Sequence, residues 1–236
     1  MKRIFLLLAF ACSLTCMKAN AQENIIKTGI TNAFFGDFNL SYERLITEVS
    51  SLHFKIGYFN PMASFTLSEK VITPDEYTFI KDKGGFHTSL EYRFYLSGEK
   101  TLQGFYLAPF LRHFNQKVHY TDMIDGDKFN VNAKMSNFGL GAQMGYQLIL
   151  AKGLTFDFYF LGLSLDRYAG KLEYKLAQPR SGFNYSSITD NIDKTLEDYH
   201  FIAKNTTHHV KTDRDDVKFP FFLPGIRIGV SAGYAF

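Results

Sequence analysis

The chain has 236 residues, with 26 Lys and Arg against 23 Asp and Glu, for a formal net charge of +3. Lys2, Arg3 and Lys18 are the only charged residues before position 22, so the rest of the chain is formally neutral and has no excess positive charge to favour nucleic acid. Aromatic residues make up 17%, as 25 Phe and 14 Tyr without Trp, beside 18 Gly, a composition that points to an all-β protein.

Residues 1–21 read as a secretory signal. Lys2 and Arg3 precede the apolar stretch Ile4–Ala11, and Ala19-Asn20-Ala21 before Gln22 forms a small-x-small cleavage site. The apolar run falls short of the roughly 20 residues that a membrane-spanning helix needs. Cys12 and Cys16 lie within this segment, outside the usual lipoprotein context, so residues 22–236 contain no cysteine and no disulfide. Those residues are expected to form a single barrel domain.

Eight segments then alternate between apolar and small or polar residues, as strands do. They fall at about Lys27–Phe34, Asn39–Ile46, Leu52–Phe59, Phe86–Leu96, Phe105–Asn115, Ser136–Leu150, Leu154–Arg167 and Gly225–Phe236. The connections are of two kinds. Short polar turns lie at Thr47–Ser51, Ser97–Gly104 and Ala151–Gly153, and long links at Asn60–Gly85, Gln116–Met135 and Tyr168–Pro220. Only the first hairpin, Phe35–Phe38, breaks the pattern. Within the longest link, Ile188, Ile192, Leu196 and Tyr199 follow Ser186-Ser187 at helical spacing, which predicts a short amphipathic helix over the barrel mouth. Long loops at one end and tight turns at the other match an outer-membrane barrel with its turns in the periplasm.

A soluble lipocalin-like barrel and a membrane barrel differ in which face is apolar. In the fourth segment Phe86, Thr88, Leu90, Tyr92, Phe94 and Leu96 oppose His87, Ser89, Glu91, Arg93 and Tyr95. The first face is crowded with Phe, Tyr and Leu, whereas the corresponding second faces along the chain mix glycines with charges. Eight strands leave an interior only wide enough for packed side chains, so the small and charged face is expected inside and the aromatic face outside, toward lipid. The expected fold is an eight-stranded antiparallel up-and-down transmembrane β-barrel with long extracellular loops. In the fifth segment Tyr106, Ala108, Phe110 and Arg112 point inward, and Pro109 suggests a bulge or bend.

The interior then gathers Glu43, Lys55, Glu91, Arg93, Arg112, Asp157 and Arg227, with Gln143 and Gln147. Unpaired charges in a narrow lumen are costly, so these acids and bases are expected to pair into a polar plug. The competing reading is a narrow, porin-like ion path. The histidines sit in no catalytic motif. His200, His208 and His209 with Asp213, Asp215 and Asp216 could in principle hold a metal, but on a polar loop such residues are normally solvated. No catalytic residue, metal site or cofactor is expected, and an outer-membrane enzyme is the less favoured alternative.

The segments Asn39-Leu40-Ser41-Tyr42-Glu43-Arg44, Gly104-Phe105-Tyr106-Leu107-Ala108-Pro109-Phe110 and Pro224-Gly225-Ile226-Arg227-Ile228-Gly229 resemble those of a family of small exported bacterial barrels. That family is known as a domain of unknown function and is similar in design to the OmpA-type membrane barrel. The last strand, with Tyr234 and the terminal Phe236, resembles the assembly signal of Gram-negative outer-membrane barrels. The resemblance implies a structural place for Glu43 and Arg227, residence in the outer-membrane lipid, and recognition by the barrel assembly machinery. The long loops leave room for an external partner.

Overall fold

The computed structural model describes residues 23–60, 79–97, 102–124, 126–178, 180, 182–185, 190, 206–210 and 215–236. The predicted signal segment, both cysteines and the predicted helical positions Ile188, Ile192, Leu196 and Tyr199 lie outside the described residues. The strands are β1 (Asn24–Gly29), β2 (Asp37–Thr47), β3 (Ser50–Phe59), β4 (Phe79–Tyr95), β5 (Gly104–Ile124), β6 (Asp127–Ile149), β7 (Leu154–Leu176), β8 (Thr207–Val210) and β9 (Asp215–Ala235). Each of β1–β6 pairs antiparallel with the next, β7 pairs with β9, and β9 returns to β1. Eight antiparallel strands therefore form a closed ring, and the short β8 adds to the free edge of β9 beyond the end of β1. The closing seam runs from Ile25 opposite Ala235 to Gly29 opposite Ser231.

Four predicted boundaries are corrected, the first being the link Asn60–Gly85, which is shortened because β4 begins at Phe79. The first strand stops at Gly29, and Ile30–Phe34 forms a short helix, α1. Thr31 and Asn32 give their side chains to neighbouring groups rather than to a ladder, and Gly36, at φ 77°, turns the chain into β2. The supposed link Gln116–Met135 is a continuation of β5 and β6, paired without interruption to Ile124 opposite Asp127 and turned at Gly126. The link Tyr168–Pro220 is likewise shortened, because β7 runs to Leu176 and β9 begins at Asp215. Pro109 produces no bulge: it sits in register opposite Ala142, and its effect is confined to a lapse in β4–β5 pairing between Glu91 and Phe94. The bulge lies instead in β7, between Tyr159 and Gly162. Phe160 and Leu161 both point outward there, so the inward residues change from odd numbers (Asp157, Tyr159) to even ones (Gly162, Asp166).

Polarity reverses along single strands. Near the short turns the outward rows are apolar: Phe105, Leu107 and Leu111 on β5, Phe138, Leu140 and Met144 on β6, Leu163 and Leu165 on β7, Phe222, Ile226 and Ile228 on β9. Farther along, the same rows become polar, with Lys117, Lys134, Lys171 and Lys218 aligned as successive cross-strand partners. The interior changes in the opposite sense. It is charged at the level of the apolar rows, and beyond them it becomes an apolar core of Phe129, Val131, Tyr174, Leu176, Tyr185 and Val217.

On its side facing β1, β9 has no strand partner among the described residues between Phe219 and Val230. The helix α1 covers part of this edge, where the Val230 N–H donates to Thr31 Oγ1 at 3.0 Å. Pro220 and Pro224 fall in the same alternation as Val230, so two positions whose N–H would point out of this edge carry none.

Candidate functional site

The strands near the short turns direct their inward side chains into one buried network. Lys27 Nζ donates to Glu43 Oε2 at 2.6 Å, Gln147 Oε1 at 2.6 Å and Asp157 Oδ2 at 2.8 Å. Arg93 spans the same group, with Nη2 2.7 Å from Glu91 Oε2, and Nη1 2.8 Å from Asp157 Oδ2 and 3.2 Å from Glu43 Oε2. Hydroxyls complete the acids: Ser51 Oγ and Tyr95 OH each donate to Glu43 Oε1 at 2.5 Å, and Tyr106 OH donates to Asp157 Oδ1 at 2.8 Å. Glu91 also accepts from Gln143 Nε2 at 3.0 Å and Arg227 Nη2 at 3.1 Å, and His53 Nδ1 lies 3.0 Å from its Oε2. The Arg93 guanidinium stacks 4.4 Å from the centre of the Tyr106 ring. Charges this deeply buried are tolerable only when paired and hydrogen-bonded on every side, and most of these are.

Beneath the network lies an apolar floor. Leu102, from the connection between β4 and β5, packs fully buried with Ile25, Tyr95, Tyr106, Ala108 and Ala235, and its carbonyl accepts from Gln147 Nε2 at 2.7 Å. The short-turn end of the lumen is thus closed by side chains.

The sequence-predicted interior residues fare unequally. Glu43, Glu91, Arg93 and Asp157 meet at one level, and Arg227 joins them through Glu91. Arg112 does not: it pairs with Asp166, higher in the lumen. Lys55 points inward and is buried, yet it makes no hydrogen bond or ion pair among the described residues. Sequence reasoning missed Lys27, which donates to three members of the network. It stood at the edge of the first predicted strand, and the alternation of Ile26 and Thr28 around it was the available signal. Asp166 was missed because the β7 bulge reverses the phase. At the seam, Tyr234 points outward, and Phe236 exchanges backbone hydrogen bonds with Asn24 at 2.8 and 3.1 Å. Among the described residues no group of His, Cys, Asp and Glu could hold a metal ion.

Toward the long-loop end, above the network, the lumen opens into a cavity of about 460 Å³. Its walls include Lys55, His87, Ser89, Asn137, Tyr159 and Arg227. α1 is latched beside it: Tyr159 OH donates to Asn32 Oδ1 at 2.8 Å, Asn32 Nδ2 donates to Asp37 Oδ2 at 2.7 Å, and His87 Nε2 lies 2.6 Å from Asp37 Oδ1.

A closed eight-stranded antiparallel barrel, charged within and apolar without in the half near its short turns, is the class these features define. The chain belongs to the DUF3575 family, proteins of unknown function, which it matches over residues 4–189. No curated protein matches it. Among solved structures it is similar to a major outer membrane protein from Thermus thermophilus, with 12% identity over 90% of this chain and 98% of that one and a TM-score of 0.40.

Proposed function

We infer that the protein is a non-enzymatic β-barrel of the bacterial outer membrane, OmpA-like in design. In this reading its short turns lie in the periplasm and its long-loop end lies outside the cell. Its lumen is a structural plug, and its role is to stabilise the envelope or to present the long-loop end to an external partner. The observation that carries this reading is the reversal of polarity along single strands. A soluble barrel keeps its apolar face inward for its full length. Here the outward face is apolar for about 11 residues of β6, from Phe138 to Leu148, close to the span a tilted strand needs to cross a bilayer. Beyond that level the same strand behaves as a soluble one, with lysines outside and Phe129 and Val131 inside. Outward aromatics stand at both margins of the apolar band, Phe94, Phe105, Phe158 and Tyr234 near the short turns and Phe38, Tyr58 and Phe86 toward the other end, where interfacial girdles belong. The lysine row marks the other boundary: like charges directly opposite one another are unfavourable in a sheet, Glu173 and Asp216 relieve Lys171, and anionic headgroups at that level suit the remaining lysines.

Fractionation and heat-modifiable migration test the placement. The protein is expected in the outer-membrane fraction, released only by detergent, with its unboiled form running faster on a gel than its boiled form. Recovery as a soluble periplasmic protein without detergent overturns the reading in favour of a secreted, lipocalin-like binder.

A further inference from the structure

Donors without acceptors collect around the cavity above the ion network. Lys55 is 5% exposed, and its ammonium stands 5.1 Å from the centre of the Tyr159 ring, attracted by Glu91 and Asp157 but hydrogen-bonded to neither. Arg227 gives Nη2 to Glu91 and rests its guanidinium 4.4 Å from the centre of the Phe110 ring, while Nη1 is buried with no acceptor. Ser89 Oγ and Asn137 Nδ2, on residues 6% and 3% exposed, are also buried without a partner. All four residues line the same cavity. The acids nearby are already engaged: Asp37 by His87 and Asn32, Asp166 by Arg112, and Glu91 by Arg93 and Arg227. Each buried donor left unmade costs about 1–3 kcal/mol, and a buried charge costs more. Water can satisfy the hydroxyl and the amide, but it does not neutralise the Lys55 ammonium.

We propose that this cavity is an oxyanion-binding site, taking a carboxylate or phosphate group between Lys55 and Arg227 with Ser89 and Asn137 as orienting donors. The complementarity is one of kind: every orphaned group named here is an N–H or O–H, so the ligand must be rich in acceptors and negatively charged. The cavity also has an apolar side, formed by Phe59, Phe114 and Tyr168, which suits an organic substituent on the anion. Such a ligand has two sources. A free anion enters from the long-loop end. The head of a single-chain amphiphile enters beside α1, leaving its tail along the unpaired edge of β9, where Ile226 and Ile228 line the cavity and are 75% and 73% exposed. An open strand edge at membrane depth is tolerated where it borders a cavity. The proposal rests on the lumen geometry alone and does not require the membrane placement.

Titration calorimetry on the folded protein in a non-ionic detergent, with inorganic phosphate, acetate and dodecanoate as probes, tests it. Saturable binding of phosphate or dodecanoate is expected, weakened by about tenfold in Lys55→Gln and severalfold in Ser89→Ala, with both variants still heat-modifiable. Replacing Lys55 leaves no protein acceptor unpaired, so the fold stays intact. Comparable binding of phosphate and dodecanoate assigns a free anion, whereas dodecanoate binding with acetate and phosphate inert assigns the amphiphile. No saturable binding of either probe, or unchanged affinity in Lys55→Gln, overturns the site.

Discussion

Lys27 on β1 and Lys55 on β3 are both buried lysines on inward positions, with β2 between their strands, and their surroundings could hardly differ more. Lys27 donates to three acceptors on β2, β6 and β7, whereas Lys55 donates to none among the described residues. Removing the first leaves Glu43 and Asp157 sharing Arg93 as their remaining cation, and breaking a buried pair in this way costs about 3–5 kcal/mol. Lys27→Met is therefore expected to lower the midpoint of urea unfolding in detergent sharply, and Lys55→Met to leave it nearly unchanged. Equal effects of the two substitutions would show that the contacts of Lys27 contribute little. The same contrast marks what the sequence made readable. Glu91, Arg93 and Asp157 stood out because each is a charge flanked by bulky apolar neighbours on a clean alternation, and Glu43 because it falls on the inward face of an alternating strand. Apart from Glu91 and Arg93 on one strand, the partners come from strands distant in the chain, so their pairing was not legible, and Arg112 finds Asp166 rather than any of the expected acids.

Elements were legible where one face was strongly apolar and obscure where the contrast faded. β3 and the last twelve residues of the chain follow the expected faces throughout. The upper parts of β5 and β6 resemble a loop in sequence because their outward rows turn to Lys and Asn, removing the apolar stripe by which strands are recognised. The bulge in β7 hid a second group of inward residues. One residue there has no counterpart on β6, since Met144 pairs with Leu161 and Gly145 with Tyr159. Deleting Phe160 removes the surplus residue and leaves Tyr159 and Gly162 inward and Leu161 outward, so the barrel is expected to stay folded and heat-modifiable. Deleting Ser164 in the regular part of the strand moves Asp166 to the outer face and is expected to abolish that gel shift. If both deletions behave alike, the bulge does not set the phase.

At the scale of the whole molecule, the sealed lumen bears on conduction. Leu102 and its apolar neighbours close one end, and the network from Lys27 to Arg93 fills the section above them. Reconstituted into planar bilayers, the intact protein is expected to give no stable unitary currents. Steady currents abolished by blocking the lumen would replace the plug with a channel.

The seam between β1 and β9 has a kinetic consequence. It joins Asn24 to Phe236, so the ring cannot close until almost the entire chain is available, and Lys27 cannot meet Asp157 until the intervening strands are stacked between them. Contacts so distant in sequence make folding slow and concerted. A chain interrupted before its last strand is left with two open edges, each a template for aggregation. Deleting Phe236 removes the last pair of seam hydrogen bonds, and replacing it with Asp places a charge at the same point. Both changes are expected to slow barrel closure in refolding experiments followed by gel shift, with the Asp variant the slower. Unchanged closure rates would mean that the ring is committed before its ends meet. On the expected course, the final residues act as the latch on an all-or-none assembly, and partly built barrels are what a cell must keep from accumulating.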